Sequence, residues 1–302
     1  GFRKGYDMDT VLKKKSTILM FLTPALIVYT AIVFVPIIWS AVYGFFDWNG
    51  VGEMTFVGLD NYIKMLFEDR YFWPVVGQTL VYTSVQLLIQ VGGGLMTAIL
   101  LNTIRRGRTL FQTIYYVPVV ISSVAICQIF DKLFSVSPTG LINYLLSFIN
   151  PAFSQIEWLS SPHLALLSAA FVEGYKNMGI YMVIFFAALI SVPEELSEAA
   201  LIDGASAFRV YWNVKLPYIR NIIVANSVLV LSNSLRAFDI PFLLTSGGPG
   251  NASQLLSSYM YKQAFSSMKY GYGSAIAVFI VGACLMLTSS FMHYFRGGGE
   301  YQ

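Results

Sequence analysis

Glu198-Ala199-Ala200-Leu201-Ile202-Asp203-Gly204-Ala205, with Leu216-Pro217 farther along, is a short polar island between two long apolar stretches, 159–193 and 221–261. Pro193 can open a helix, because its missing N–H is one that a helix start leaves unpaired anyway. Glu194, Glu195 and Glu198 then fall in the early turns, where the helix dipole favours negative charge. Ala199 and Ala200 are small enough for another surface to approach closely, and Gly204 permits a turn that a side chain would obstruct. A second short helix is expected over 206–215, with Pro217 opening the next apolar segment. On a membrane protein such an element is a projecting helix for another protein to grip. Its bland reading is an ordinary amphipathic loop helix.

Around the island the chain is too apolar for a soluble protein of its length. Hydrophobic residues make up 56% and charged residues 12%, against roughly 25% charged in soluble domains. An apolar run of about 20 residues spans a bilayer as a helix. Runs at 16–46, 71–104, 109–130 and 270–295 are long enough, and 159–193 and 221–261 are long enough but carry charges. The expected fold is an all-α integral membrane protein. A tail at 1–15 precedes one six-span domain over 16–296, which includes the polar loop 193–217, and a tail at 297–302 follows. The run 16–46 is too long for a cleaved signal peptide, and no small-residue cleavage site follows its apolar part. Cys127 and Cys284 lie inside apolar runs and read as small buried hydrophobes, with no disulfide or metal inferred.

Lys and Arg concentrate on the cytoplasmic side of membrane proteins. On a six-span path, Arg3, Lys4, Lys13, Lys14, Lys15, Arg105, Arg106, Arg108, Arg209, Lys215, Arg220 and Arg296 share one side. Only Lys64, Arg70, Lys132, Lys262 and Lys269 fall on the other. Both termini are therefore expected in the cytoplasm. The net charge of +3 reflects this topology and calls for no nucleic-acid partner. On the outer side, Leu141, Ile142, Leu145, Leu146 and Ile149 recur at helical spacing and read as a short interfacial helix. Ser246-Gly247-Gly248-Pro249-Gly250 opens an outer loop.

Glu198-Ala199-Ala200, Asp203-Gly204-Ala205, Phe208, Tyr211, Val214 and Leu216-Pro217 resemble the signature loop of binding-protein-dependent ABC importer permeases. Val214 stands where isoleucine is usual, and Asn221 where proline is common. Phe56-Val57-Gly58-Leu59-Asp60-Asn61-Tyr62 is similar to the first external loop of that family's carbohydrate branch. Leu244-Thr245-Ser246-Gly247-Gly248-Pro249-Gly250, then Tyr261 and Tyr270-Gly271-Tyr272-Gly273, is similar to the stretch joining its last two spans. That version resembles the larger maltose-permease-type subunit, without its extra N-terminal spans and large external domain. The resemblance covers 15–296. It implies a type I ABC importer permease fold with six transmembrane helices in a bacterial or archaeal inner membrane, surrounded by lipid. It also implies a heterodimer with a second permease subunit, a cytoplasmic ATPase dimer carrying the ATP and magnesium, and an extracytoplasmic binding protein that delivers a sugar or oligosaccharide. Coupling to the ATPase would fall on Glu198, Ala199, Ala200, Asp203, Gly204, Ala205, Leu216 and Pro217. No Walker sequence occurs, so no cofactor is expected on this chain. Gly92-Gly93-Gly94 lacks the following Lys-Ser/Thr of a phosphate loop and reads as close helix packing.

A charge near mid-bilayer costs at least about 2.5 kcal/mol and usually faces protein or water. Glu173 and Lys176 lie three apart on one face of the fourth span, and Arg236 and Asp239 repeat the spacing in the fifth. Each pair reads either as a structural ion pair or as part of the wall of a translocation cavity. The resemblance places Glu173, Lys176, Asn177, Ile180, Asn233, Ser234, Arg236 and Ala237 near sugar-contacting positions, with residue types that imply a different ligand. Tyr115, Tyr116, Gln128, Tyr175 and Tyr181 could add hydrogen bonds and flat apolar surface, and Gln86 and Gln90 could join helices. The same machine carrying glycerol phosphate or another anionic polyol stays open. An ion-driven secondary transporter would show inverted repeats, and an intramembrane enzyme would show a nucleophile–base pair or a metal cluster. The sequence displays neither pattern, and it reads as a transport subunit without chemistry of its own.

Overall fold

The computed structural model describes residues 15–104 and 106–296. The expected tails lie outside these residues, Lys15 excepted, as does Arg105. In chain order, α1 (Thr17–Tyr43) and α2 (Phe72–Thr103) are unbroken apolar helices of 27 and 32 residues. Between them, β1 (Phe46–Asp47) and β2 (Thr55–Phe56) form a small antiparallel hairpin. The next path bends by 101° between α3 (Arg108–Val120) and α4 (Ser123–Leu133). The short α5 (Leu141–Ser147) leads to α6 (Ala165–Ile190), of 26 residues. α7 (Glu194–Ile202) turns off α6 by 69°, and α8 (Ala207–Tyr218) meets α9 (Arg220–Leu235) at 70°. α10 (Asp239–Thr245) and α11 (Leu256–Tyr261) precede α12 (Tyr270–His293), unbroken over 24 residues. Counting each bent pair as one path gives up to six crossings.

Two expected spans are not single helices. The run 109–130 breaks at Ile121 and Ser122, whose backbones are extended, and Ser122 Oγ accepts the Ala125 N–H at 3.2 Å to start α4. The run 221–261 breaks after Leu235 and again after Thr245. Arg236 and Asp239 therefore do not share a helical face, whatever their spacing: Arg236 is the C-cap of α9, and Asp239 lies in the first turn of α10. Pro217 does not open the fifth span either. It lies inside α8, and α9 begins beyond the bend at Arg220. Hydropathy misses these breaks because most of the bend residues, Ile121, Ser122, Ala237 and Phe238 among them, are themselves apolar or small.

α6 is the central helix. Lipid tails are as apolar as leucine, so helices in a membrane are held by close packing and polar contacts between them. Glycines supply the approach. A Cβ on Gly179 of α6 would run into the Tyr115 carbonyl oxygen of α3 and sit 3.1 Å from Tyr116 Cα. One on Gly174 would meet Ile89 of α2 at 2.8 Å, and one on Gly94 of α2 would meet Tyr181 of α6 at 3.1 Å. Buried Gln86 donates to the Ala170 carbonyl at 2.9 Å and so joins α2 to α6 as expected, while Gln90 donates to Gln86 at 2.5 Å within α2. Toward the 193–217 end, Tyr181, Met182, Phe185 and Leu189 pack with Ala98, Leu101, Ile219 and Val230.

At the opposite end Asp69 acts as a clasp. Its Oδ2 accepts the Tyr259 hydroxyl at 2.5 Å and the Tyr272 hydroxyl, while Oδ1 accepts the Tyr71 N–H at 2.9 Å. One carboxylate thus ties the segment before α2 to α11 and α12. α5 is anchored nearby: Asn143 is buried, accepts from Trp158 Nε1 at 2.7 Å and donates to the Ile156 carbonyl at 3.0 Å, with Leu141, Leu145 and Ile149 exposed. α1 buries none of its residues, and its main neighbour is α12.

Gly179→Leu should lower the melting temperature of the detergent-purified protein, because backbone atoms cannot give way and overpacking costs about 1–3 kcal/mol. Gly282→Ala, whose Cβ meets nothing within 4 Å, should leave it unchanged or raise it slightly. A pH scan tests the clasp. Burial, and then the Asp69 carboxylate, push the Tyr259 hydroxyl above its ordinary value. The folded state therefore holds that proton more tightly than the unfolded chain does. Stability from this contact is fully present below about pH 10 and falls as pH rises beyond it. Tyr259→Phe should flatten that alkaline loss in a thermal-melt series.

Candidate functional site

The cavity is built by helices that stop inside the apolar bundle. The last carbonyls of a helix have no partner of their own, and the C-terminal end carries partial negative charge that attracts cations. α3 ends at Val120, and Lys176 Nζ donates to the freed Val119 carbonyl at 3.4 Å. α9 ends at Leu235, and Arg236 Nε donates to the Ser232 carbonyl at 3.0 Å while its terminal nitrogen reaches Asn233 Oδ1 at 3.4 Å. Asp239 takes the complementary position in the first turn of α10, where negative charge is favoured. Glu173 accepts a short hydrogen bond from the hydroxyl of Tyr82, which is fully buried on α2.

Neither Glu173–Lys176 nor Arg236–Asp239 closes into a salt bridge. An ion pair does form on the exposed surface, between Lys132 and Asp131 at 3.7 Å. The four membrane charges are held by helix ends and a tyrosine. They surround a hollow of about 360 Å³ lined by Ser123, Glu173, Lys176, Asn177, Arg236, Ala237, Phe238, Asp239 and Ile240. Of the eight residues expected on a cavity wall, five meet here: Glu173, Lys176, Asn177, Arg236 and Ala237. Ile180, Asn233 and Ser234 are not on this wall. Ile180 is a turn away on α6, Asn233 is exposed beside Arg236, and Ser234 is buried with its hydroxyl on the Val230 carbonyl. A second, apolar hollow of about 380 Å³ adjoins the first, and Arg236 and Phe238 line both. Its aromatic wall has Phe238 at 5.3 Å from Tyr261 and stacked on Phe242 at 4.9 Å. Gln128 lines a separate, wider groove, while Tyr181 is buried in the core and Tyr175 packs on Phe130 at 5.8 Å.

Sequence reasoning missed Tyr82, Ser123 and Phe238. Tyr82 carries no charge, but Tyr82, Gln86 and Gln90 form a polar stripe at four-residue spacing along one face of an apolar helix, a signal that was present. Ser123 and Phe238 lie at helix breaks that the hydropathy does not register.

The 193–217 loop projects from the other end of α6. Glu194 and Glu195 fall in the first turn of α7. At its close, the Ala205 N–H bonds the Ala200 carbonyl at 2.9 Å and the Gly204 N–H bonds the Leu201 carbonyl at 3.0 Å. This paired ending requires a left-handed residue, and Gly204 has φ +83°. Ser206 then caps α8. Glu198, Ala199, Asp203 and Pro217 are exposed, and Ala200, Ala205 and Leu216 are half-buried. The outer surface is apolar: Ile202 is 86% exposed, Phe208 74% and Trp212 64%, the two rings stacked. The loop is fastened from beneath by buried Val210 and Ile219 and by Asn102 Nδ2, which donates to the Tyr211 hydroxyl at 2.8 Å.

Residues 90–296 match the family model described as "Binding-protein-dependent transport system inner membrane component". A probable ABC transporter permease protein of Bacillus subtilis, YurN, is 34% identical over 93% of this chain and 96% of its own length. MsmF of Streptococcus mutans, a multiple sugar-binding transport system permease protein, is 33% identical over 86% of this chain and 88% of its own. The fold is shared with a crystal structure of a bacterial ABC transporter involved in the import of the acidic polysaccharide alginate, at TM-score 0.82 and 23% identity over 97% of this chain and 99% of that one. A bundle with interrupted spans, a projecting helical loop and these relatives leads to one assignment: the chain belongs to the binding-protein-dependent inner membrane components, as a permease subunit of an ABC importer.

Proposed function

We propose that this permease moves a neutral sugar or oligosaccharide across the bacterial or archaeal inner membrane, as one half of a heterodimer with a second permease. An extracytoplasmic binding protein would deliver the ligand, and a cytoplasmic ATPase dimer would hold the ATP and magnesium. The observation that carries this reading is the hollow of about 360 Å³ where Glu173, Lys176, Arg236 and Asp239 converge without neutralising one another. Hydroxyl groups are donors and acceptors at once, and such a ligand can use carboxylates and cations together. Two carboxylates opposite two cations give no excess positive charge, which favours a neutral polyol over glycerol phosphate. The aromatic wall beside Arg236 offers the flat apolar surface that a pyranose ring needs. The sugar transport of relatives such as MsmF points the same way.

α7 and the turn at Gly204 would be the coupling element, with Glu198, Ala199, Ala200, Asp203, Ala205, Leu216 and Pro217 shaping or supporting it. The exposed Ile202, Phe208 and Trp212 suit a cleft on another protein, and the buried underside would pass movement of that partner to α6 and α9. With the loop cytoplasmic, both termini lie on the same side.

Two experiments test the reading. Glu173→Gln and Arg236→Gln should keep normal membrane abundance but change the apparent KM or the substrate preference of uptake by on the order of tenfold, the worth of one charged hydrogen bond. Unchanged uptake defeats the cavity reading, and loss of the protein from the membrane, as breaking a buried pair would cause, supports a structural role instead. Ile202→Asp and Gly204→Val should leave the permease inserted while reducing its co-purification with the ATPase. Val at a left-handed position costs roughly 1–2 kcal/mol locally. Normal substrate-stimulated ATPase activity in both variants would rule out coupling through this loop.

A further inference from the structure

Tyr82 is an unexplained investment for a membrane helix. It is fully buried on α2, and its hydroxyl is spent on Glu173 Oε2 of α6. Tyr82 belongs to one buried cluster with Leu166 and Ala170 of α6, with Leu255, and with Ala237, which lines the cavity beside Arg236. One turn along, Gln86 fixes the register of α2 on α6 by donating to the Ala170 carbonyl at 2.9 Å. The hydroxyl is thereby delivered to one place. Glu173 has Lys176 three residues away on its own helix, a spacing at which carboxylate and ammonium readily pair, yet no pair forms. Tyr82 holds one carboxylate oxygen, and Lys176 donates to Val119.

Resting on the cavity reading above, we propose that Tyr82 is the positioning residue of the transport site. Its hydroxyl fixes the Glu173 carboxylate as an acceptor toward the hollow and withholds it from Lys176, so that both groups stay available to a hydroxylated ligand. Without that hydroxyl the carboxylate is free to turn along α6 and pair with Lys176, which would spend an acceptor and a donor together. Tyr82 touches the ligand only through Glu173. The ring, which fills the space, is a separate matter from the hydroxyl, which does the positioning.

The experiment uses the complete transporter, with both permeases, the ATPase and the binding protein, in proteoliposomes. Radiolabelled maltose, trehalose and an arabino-oligosaccharide are screened first, and the best-transported sugar is the probe. Tyr82→Phe, Glu173→Gln and the double variant are compared for membrane abundance, apparent KM and maximal rate. Tyr82→Phe keeps the ring, so abundance and maximal rate should hold while KM rises on the order of tenfold. The double variant should be no worse than Glu173→Gln alone, because Tyr82 acts through that carboxylate. If Glu173→Gln raises KM and Tyr82→Phe does not, the proposal is overturned and the cavity reading survives. Multiplying effects in the double variant, or lost abundance with unchanged KM, would make Tyr82 a packing residue and overturn it equally. If Glu173→Gln itself changes nothing, the cavity reading falls and takes this proposal with it.

Discussion

A bilayer interior has no water for a stranded backbone group, so a helix that ends inside it must find its partners in protein. α3 and α9 both stop within the apolar bundle, and that constraint organises the centre of the molecule. Their exposed carbonyl ends are answered by Lys176 and Arg236. A cation at a helix C-terminus gains about 0.3–1 kcal/mol at an exposed site and up to about 2 kcal/mol when partly buried, which offsets part of the cost of carrying charge there. The carboxylates are held differently, one by a tyrosine hydroxyl and one by the first turn of α10. Because each charge has its own support, the charges need not cancel. A polar hollow survives where simple pairing would have closed it.

The long runs of the sequence were legible because span length is a coarse property that many residues share. The projecting loop was legible too, since Pro193, the early acids and Gly204 each do locally what their chemistry dictates. The interruptions were not. Ile121 and Ser122 are as compatible with a continued helix as with a break, and only tertiary context decides. The Arg236 and Asp239 spacing misled for the same reason: a three-residue offset means a shared face only if the helix persists between them. Five of the eight cavity candidates nonetheless meet around one hollow, because three of them lie on uninterrupted α6 and the other two sit at the break after Leu235. Tyr82 escaped because an uncharged tyrosine in an apolar run reads as packing until its partner across the bundle is known.

α6 connects these two regions physically. Glu173 faces the hollow, and the loop leaves the helix at its other end, about 25 Å away along a straight axis. Gly174 and Gly179 seat α6 against α2 and α3 with no space for a side chain. A contact this close slides or rotates as a unit more readily than it deforms. Any equilibrium between two placements of α6 is therefore felt at both ends, and on the proposed reading linkage would make the influence mutual: a ligand favouring one state of the hollow would favour the matching state of the loop by the same free energy.

The bareness of α1 has a consequence in time. No residue of this helix is buried in its own chain, and its principal contact is with α12. α12 is made after α1, so α1 waits in the membrane while every element between them is synthesised before its principal neighbour exists. The bundle closes only once α12 has been made. A prematurely terminated chain would leave α1 unsecured, visible to membrane quality control as an orphan helix. Synthesis of α12 and closure of the fold become the same event.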